Sequence, residues 1–195
     1  IAKASVNHTI IKFDYARQGD HRKRFDNNFG AVDTLRLNQL ESYQGIGTSL
    51  HNIYSIKSWS FQAGVRFDHV LIGLNDHFYT DGNDSGRLFY TNFNYHIGIQ
   101  YNLKRLSKLF ATIRTSFETP SLSELSANPE NIGGFNINLA PMKSINYEVG
   151  LNSHINPFLN ISNSLFFIKT VDEIRPFEIA DQPQRVFYRN IGQTE

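Results

Sequence analysis

The sequence contains no cysteine. That removes disulfide scaffolds, thiolate metal sites and cysteine nucleophiles together, and says little about redox compartment. Neither sign of charge dominates: Lys+Arg 19 against Asp+Glu 18 gives a net charge of +1, so no strongly basic surface invites nucleic acid. No run approaches the ~18 apolar residues of a transmembrane helix, and a mean hydropathy of -0.37 argues against helical spans. Neither absence excludes a membrane barrel, whose strands are only half apolar. The chain does not begin with Met and has no basic-then-apolar leader, so any export signal is expected to be absent or already removed.

Aromatic residues, by contrast, are plentiful: 13% of the chain, with 16 Phe and 9 Tyr. That balance favours strands over helices. Four segments alternate cleanly with period two: Ser58–Asp68, Leu88–Leu103, Leu109–Phe117 and Ser144–Ile155. In the last, Ile145, Tyr147, Val149 and Leu151 share one face, and Asn146, Glu148, Gly150 and Asn152 the other. Weaker candidates are Val6–Tyr15, Gly45–Tyr54 with a start as early as Leu35, Phe158–Val171 and Arg185–Ile191. The expectation is about eight strands, with no helix of any length.

The connections decide which face meets water. Short links at Tyr54–Ser58, Asn102–Lys108 and Ile155–Phe158, where Asn156–Pro157 supplies a turn signal, alternate with long polar stretches. Those are Ala16–Thr34, Leu71–Arg87, Glu118–Met142 and Asp172–Gln184. In an up-and-down meander every tight turn then lies at one end and every long loop at the other, as in outer-membrane barrels. Compact soluble domains rarely carry several structureless loops longer than ~12–15 residues. The face with Ile145, Tyr147, Val149 and Leu151 is therefore expected to meet lipid, and that with Asn146, Glu148 and Asn152 a wet lumen. Tyr54, Trp59 and Tyr101 beside short turns, and Tyr15, Phe67, Phe89 and Phe117 near long ones, suit two interfacial girdles.

Residues 117–151, FETPSLSELSANPENIGGFNINLAPMKSINYEVGL, resemble the C-terminal half of TonB-dependent outer-membrane receptors. Phe117, Pro120, Ser121, Leu122, Glu124 and Leu125 match a Phe-Arg-x-Pro-like box followed by Glu-Leu. Asn138, Leu139 and Pro141 match part of an Asn-Pro-x-Leu-x-Pro-Glu box, and Asn146–Gly150 the Asn-Tyr-Glu-Leu-Gly strand. FQAGVRFDHV, through Gly64–Asp68, is similar to the family's Gly-hydrophobic-Arg-Tyr-Asp strand, and VDEIRPF…VFYRNIG to a later one. Glu118 departs from the box Arg, and Ala140 and Met142 stand where Lys and Glu flank the proline. No His lies between Pro120 and Leu139, which lowers haem as a cargo.

The resemblance implies an all-β, antiparallel up-and-down transmembrane barrel. Residues 1–195 would form about eight strands of a 22-stranded whole, with the plug domain and final strands absent. It implies the outer membrane of a Gram-negative bacterium, and uptake of a ferric siderophore or similar scarce nutrient. TonB would couple energy through the missing plug. Partners expected are the bilayer with its lipopolysaccharide and the chelate, with no nucleic acid, cofactor or enzymatic activity. Inward Arg66, Asp68, Arg114 and Glu148 would line the lumen, contacting an anionic iron chelate or forming a wall network of ion pairs. Gly19–Phe25 (GDHRKRF) reads as a solvated loop or a phosphate-binding one. Asp81–Gly86 (DGNDSG) reads as a Gly/Asn turn, with a faint calcium-loop likeness through Asp81, Asn83, Ser85 and Gly86. No metal site is expected.

Two other readings fit the pattern: a complete eight-stranded barrel with a structural or adhesive role, and a soluble β-sandwich binding module. An excised piece would leave two open edges, inviting pairing between copies or closure into a smaller barrel.

Overall fold

A computed structural model describes residues 5–104, 106–130, 134–156 and 158–195. Two expected turn positions, Arg105 and Pro157, lie outside them. The strands are β1 (Val6–Asn28), β2 (Ala31–Ile56), β3 (Trp59–Asp76), β4 (Gly86–Lys104), β5 (Ser107–Glu118), β6 (Met142–Asn156), β7 (Leu159–Ile179) and β8 (Gln182–Thr194). One short helix, α1 (Leu122–Ser126), interrupts them. All eight strands form a single sheet in chain order, each antiparallel to its neighbour. A sandwich needs two packed sheets, so that reading falls. Among the described residues β1 and β8 each have one neighbour, so the sheet is open rather than closed into a small barrel.

The expectation about loops needs correction. Ala16–Thr34 is not a loop: β1 and β2 run as a ladder to a tight turn at Phe29 (φ 50) and Gly30 (φ 93). Both central residues are left-handed, as a two-residue hairpin with matching twist demands, and Asn27 Oδ1 accepts from the Gly30 N–H at 2.7 Å. GDHRKRF is accordingly strand, within β1. Asp172–Gln184 is likewise mostly ladder, turning between Ile179 and Gln182. Leu71–Arg87 shrinks to residues 77–85, because β3 continues to Asp76. A spanning strand needs ~9–11 residues, whereas β1 has 23 and β2 26. Beyond the membrane both faces are wet, so hydrophobic alternation vanishes while backbone pairing continues.

One face of the sheet is apolar and open. Paired rows such as Ala63–Ile97–Ile113–Tyr147–Phe167 and Phe61–Ile99–Ala111–Val149–Leu165 cross it. Phe93 is 59% exposed and Leu165 77%. A continuous band of this kind is what the hydrocarbon-facing side of a membrane barrel carries. At its lower edge the tilted rings of Trp59 and Tyr101 meet with centroids 4.5 Å apart beside the short turns.

The buried core lies on the opposite face. Along β3 that face begins with Arg66 and Asp68 and then becomes apolar, with Val70, Ile72 and Leu74 buried. Over them fold Leu122, Leu125, Phe135 and Leu139 from the one long connection, residues 119–141. Here Ser121 caps α1: its hydroxyl accepts from the Glu124 N–H, and the Glu124 carboxylate accepts from the Ser121 N–H at 2.7 Å. This Ser-x-x-Glu capping box was readable in the sequence and was missed. Ser126 Oγ donates to Glu41 Oε1 (2.7 Å), and Ala140 and Asn190 exchange two hydrogen bonds. The connection thus ties β2 to β8. Leu125 is fully buried, so Leu125→Ala is expected to cost about 2–5 kcal/mol locally. In the folded protein this should raise amide exchange across α1 by about tenfold or more, leaving β3–β5 protected. A uniform change across the sheet would mean the connection does not open separately.

Candidate functional site

The polar face of β1–β6 carries charged residues because alternate positions point there. Asp14, Gly47 and Asp68 lie opposite one another in one row. In the next row, Ser49, Arg66 and Asn94 align. The Arg66 guanidinium bends back one row, meeting Asp68 at 2.7 Å and Asp14 at 2.6 Å. It does so by lying over Gly47, where an added Cβ would sit 2.1 Å from Arg66 Nη2. Glycine is there to let the guanidinium cross the strand.

A further row reads His51–Gly64–His96–Arg114–Asn146. Gly64 again leaves space, and the imidazoles of His51 and His96 approach to 5.5 Å between ring centroids. Arg114 reaches Glu148 at 3.3 Å. His51 Nε2 and Asn146 Oδ1, both out of solvent contact, have no partner among the described residues. Arg66, Asp68, His51, His96 and Arg114 line an open recess of about 520 Å³.

All four residues singled out in the sequence thus share one face, as two separate ion pairs, Arg66–Asp68 within β3 and Arg114–Glu148 between β5 and β6, rather than one cluster. Asp14, Gly47 and the histidine pair were missed. The histidines looked scattered along the chain, and the sheet register brings His51 and His96 together.

The calcium-like set in DGNDSG does not assemble as written. Asp81 and Asp84 instead converge with Asp76, carboxylate oxygens of all three lying within 4.8 Å. Asp76 closes the loop, accepting from the N–H groups of Phe78 and Asp84. Ser85 Oγ accepts from the Asp76 N–H, and Asn83 Oδ1 from that of Ser85. Loss of solvent, then the charges of Asp76 and Asp81, push the Asp84 carboxyl above its ordinary value.

Two measurements test this electrostatics. Asp14→Asn and Gly47→Ala both break the Asp14–Arg66 bridge. Each is expected to cost about 0.2–1 kcal/mol, since the pair is partly solvated, and the double variant little more than the larger single. Additive costs in urea unfolding would refute the shared bridge. For Asp84, between its ordinary and its raised pKa the folded chain holds a proton that the unfolded chain releases. Stability should therefore fall as pH rises through that window and level off above it. Melts from about pH 4 to about pH 7 should lose part of this slope in Asp84→Asn.

Known structures share this fold. The ferric citrate transporter FecA, in its unliganded form, is 17% identical, with a TM-score of 0.72 over 89% of this chain. The copper transporter OprC is 14% identical, with a TM-score of 0.72 over 95%. The ferric-catecholate import receptor Fiu from K12 E. coli is 12% identical, with a TM-score of 0.64 over 97%. This chain spans only 26%, 30% and 31% of those three chains. The family of transporters and receptors described as TonB dependent receptor-like, beta-barrel, matches residues 2–195, and an open, up-and-down sheet with one apolar and one charged face belongs to that family as a part of its barrel wall.

Proposed function

We propose that this chain is barrel wall from a receptor in the outer membrane of a Gram-negative bacterium. In this reading the receptor imports a ferric siderophore or a similar anionic chelate, with uptake coupled to TonB through the receptor's plug. The single observation that carries it is the sorting of the faces. Exposed Phe, Tyr, Ile and Leu cover one side, and on the other Arg66, Asp68 and Arg114 line a recess, with Asp14 and Glu148 ion-paired to the two arginines.

The chemistry suits passage rather than tight capture. Each guanidinium already has carboxylate partners, so an incoming carboxylate or catecholate oxygen exchanges with a weak existing contact instead of meeting a bare charge. The 3.3 Å Arg114–Glu148 contact is the looser of the two, with Arg114 half exposed. A path built from such exchangeable pairs holds an anion briefly and releases it.

The test uses the full-length receptor in a Gram-negative host stripped of its own iron receptors. Uptake of iron-55 presented as ferric siderophores should require both the receptor and TonB. Absence of any TonB-dependent uptake across hydroxamate, catecholate and citrate chelates would refute the cargo class. Arg114→Gln should then lower uptake at limiting chelate by about tenfold, the scale of one charge-assisted hydrogen bond. Unchanged uptake would remove Arg114 from the path and leave the cargo class standing.

A further inference from the structure

Charge is sorted between the faces as sharply as hydropathy. Through β1–β6 the positions in phase with the apolar band hold no Asp or Glu. On β7 and β8 that series holds one, Glu173, which is ion-paired to Arg175 at 2.8 Å. The same series also holds cations toward the end with the long connection, among them Arg17 on β1, Arg87 on β4, Lys143 on β6 and Lys169 on β7. None of these four has an ion-pair partner among the described residues.

Two of them form a pair. Tyr147 faces Phe167 across β6 and β7, ring centroids 6.3 Å apart, at the upper part of the apolar band. The next row on the same face pairs Ile145 with Lys169, and the row above that pairs Lys143 with Val171. Lys143 and Lys169 are therefore diagonal neighbours on adjacent strands, a spacing of roughly 7–8 Å between backbones. Lys143 is exposed and Lys169 half-buried. Two like charges at that distance repel, and no carboxylate on this face separates them. They stand directly above an aromatic pair of the kind that marks the edge of the hydrocarbon.

We propose that Lys143 and Lys169 form a docking site for a lipid A phosphate of the outer leaflet. The acyl chains would lie against Tyr147, Phe167 and the rows beneath, and the phosphate would bridge the two ammonium groups. The charge of the site and its height relative to the aromatic pair together select this occupant. A peptide or soluble anion would use the charge and ignore the band; an uncharged lipid would do the reverse. Arg17 and Arg87 extend the same cationic face along β1 and β4.

The experiment uses the full-length receptor purified in mild detergent and stripped of lipid. Hexa-acylated lipid A carrying both phosphates is added, and bound lipid is counted by native mass spectrometry. Dephosphorylated lipid A of the same acylation is the control. The wild type should retain the phosphorylated form preferentially. K143A and K169A should each lower the bound fraction by about fivefold, and K143A/K169A by about 25-fold, the scale of one surface-lipid charge contact per lysine. K143R/K169R should bind as the wild type does, and retention should weaken with added salt. Heat-modifiable migration on a gel reports folding; if the double variant fails it, the single variants carry the test. Equal retention of dephosphorylated lipid A by the wild type would overturn the site, as would undiminished binding in folded lysine variants.

Discussion

Backbone polar groups inside hydrocarbon have no water to pair with, so each must find its partner in the next strand. Everything else in this structure accommodates that constraint. The ladders from β1 to β8 run through the spanning region, and their register shifts fall near strand ends. They occur at Arg24–Asn27, Asn102–Lys104, His154–Asn156 and Glu178–Ile179. A bulge in mid-span would orphan an N–H in lipid; near a turn or above the membrane, water supplies the missing partner. The uninterrupted pairing also explains why β1 and β2 extend so far beyond the apolar band. A ladder already formed costs little to lengthen where both faces are wet, provided the turn at its tip matches the strand twist, as Phe29–Gly30 does.

Fixed pairing makes the side chains strictly two-sided, and the inner side changes character with height. In the middle it is charged and glycine-bearing, and Gly47 and Gly64 leave room for long or planar side chains to cross strands. Higher up, Val70, Ile72 and Leu74 continue in phase with Arg66 and Asp68 but are apolar. An apolar inner stripe above the membrane would be exposed to water unless something covered it. The 119–141 connection supplies Leu122, Leu125, Phe135 and Leu139 for that purpose. Burying each such side chain is worth about 1.5–3 kcal/mol, enough to hold down a connection whose one helix spans five residues. Wall and connection thereby become one unit.

How much of this the sequence revealed follows from where hydropathy alternates. Wherever lipid and lumen oppose each other, period two is plain, and the strands around Trp59–Asp68 and Ile145–Leu151 could be read directly. Above the membrane the two faces are chemically alike, so the outer halves of β1 and β7, and the first residues of β2, looked like loops although they are strand. The site was half legible. Arg66, Asp68, Arg114 and Glu148 stand out as charges in phase with polar neighbours, whereas Asp14 is 52 positions from its partner Arg66. Register was nonetheless within reach. Once the tight turn at Lys57–Ser58 is recognised, counting outward sets His51 opposite Gly64 and Gly47 opposite Asp68. The capping box at Ser121–Glu124 needed no structure at all.

The two faces also differ in how they neutralise charge. Inside, acids and bases alternate between neighbouring rows, so Asp14, Asp68, Glu41 and Glu148 all have arginine partners. Outside, acids are almost absent, and Arg17, Arg87, Lys143 and Lys169 have no ion-pair partner among the described residues. Inner charges are neutralised within the chain by their ion pairs. A membrane surface offers a fixed counter-charge, in its headgroup phosphates, and a carboxylate there would be repelled by it. Since neighbouring residues on a strand face opposite ways, a single-residue slip of register would turn these acids toward lipid phosphate and the lysines toward the lumen. Charge therefore reinforces the same register that hydropathy selects: the charged residues of the inner face also help fix the pairing on which the sheet depends.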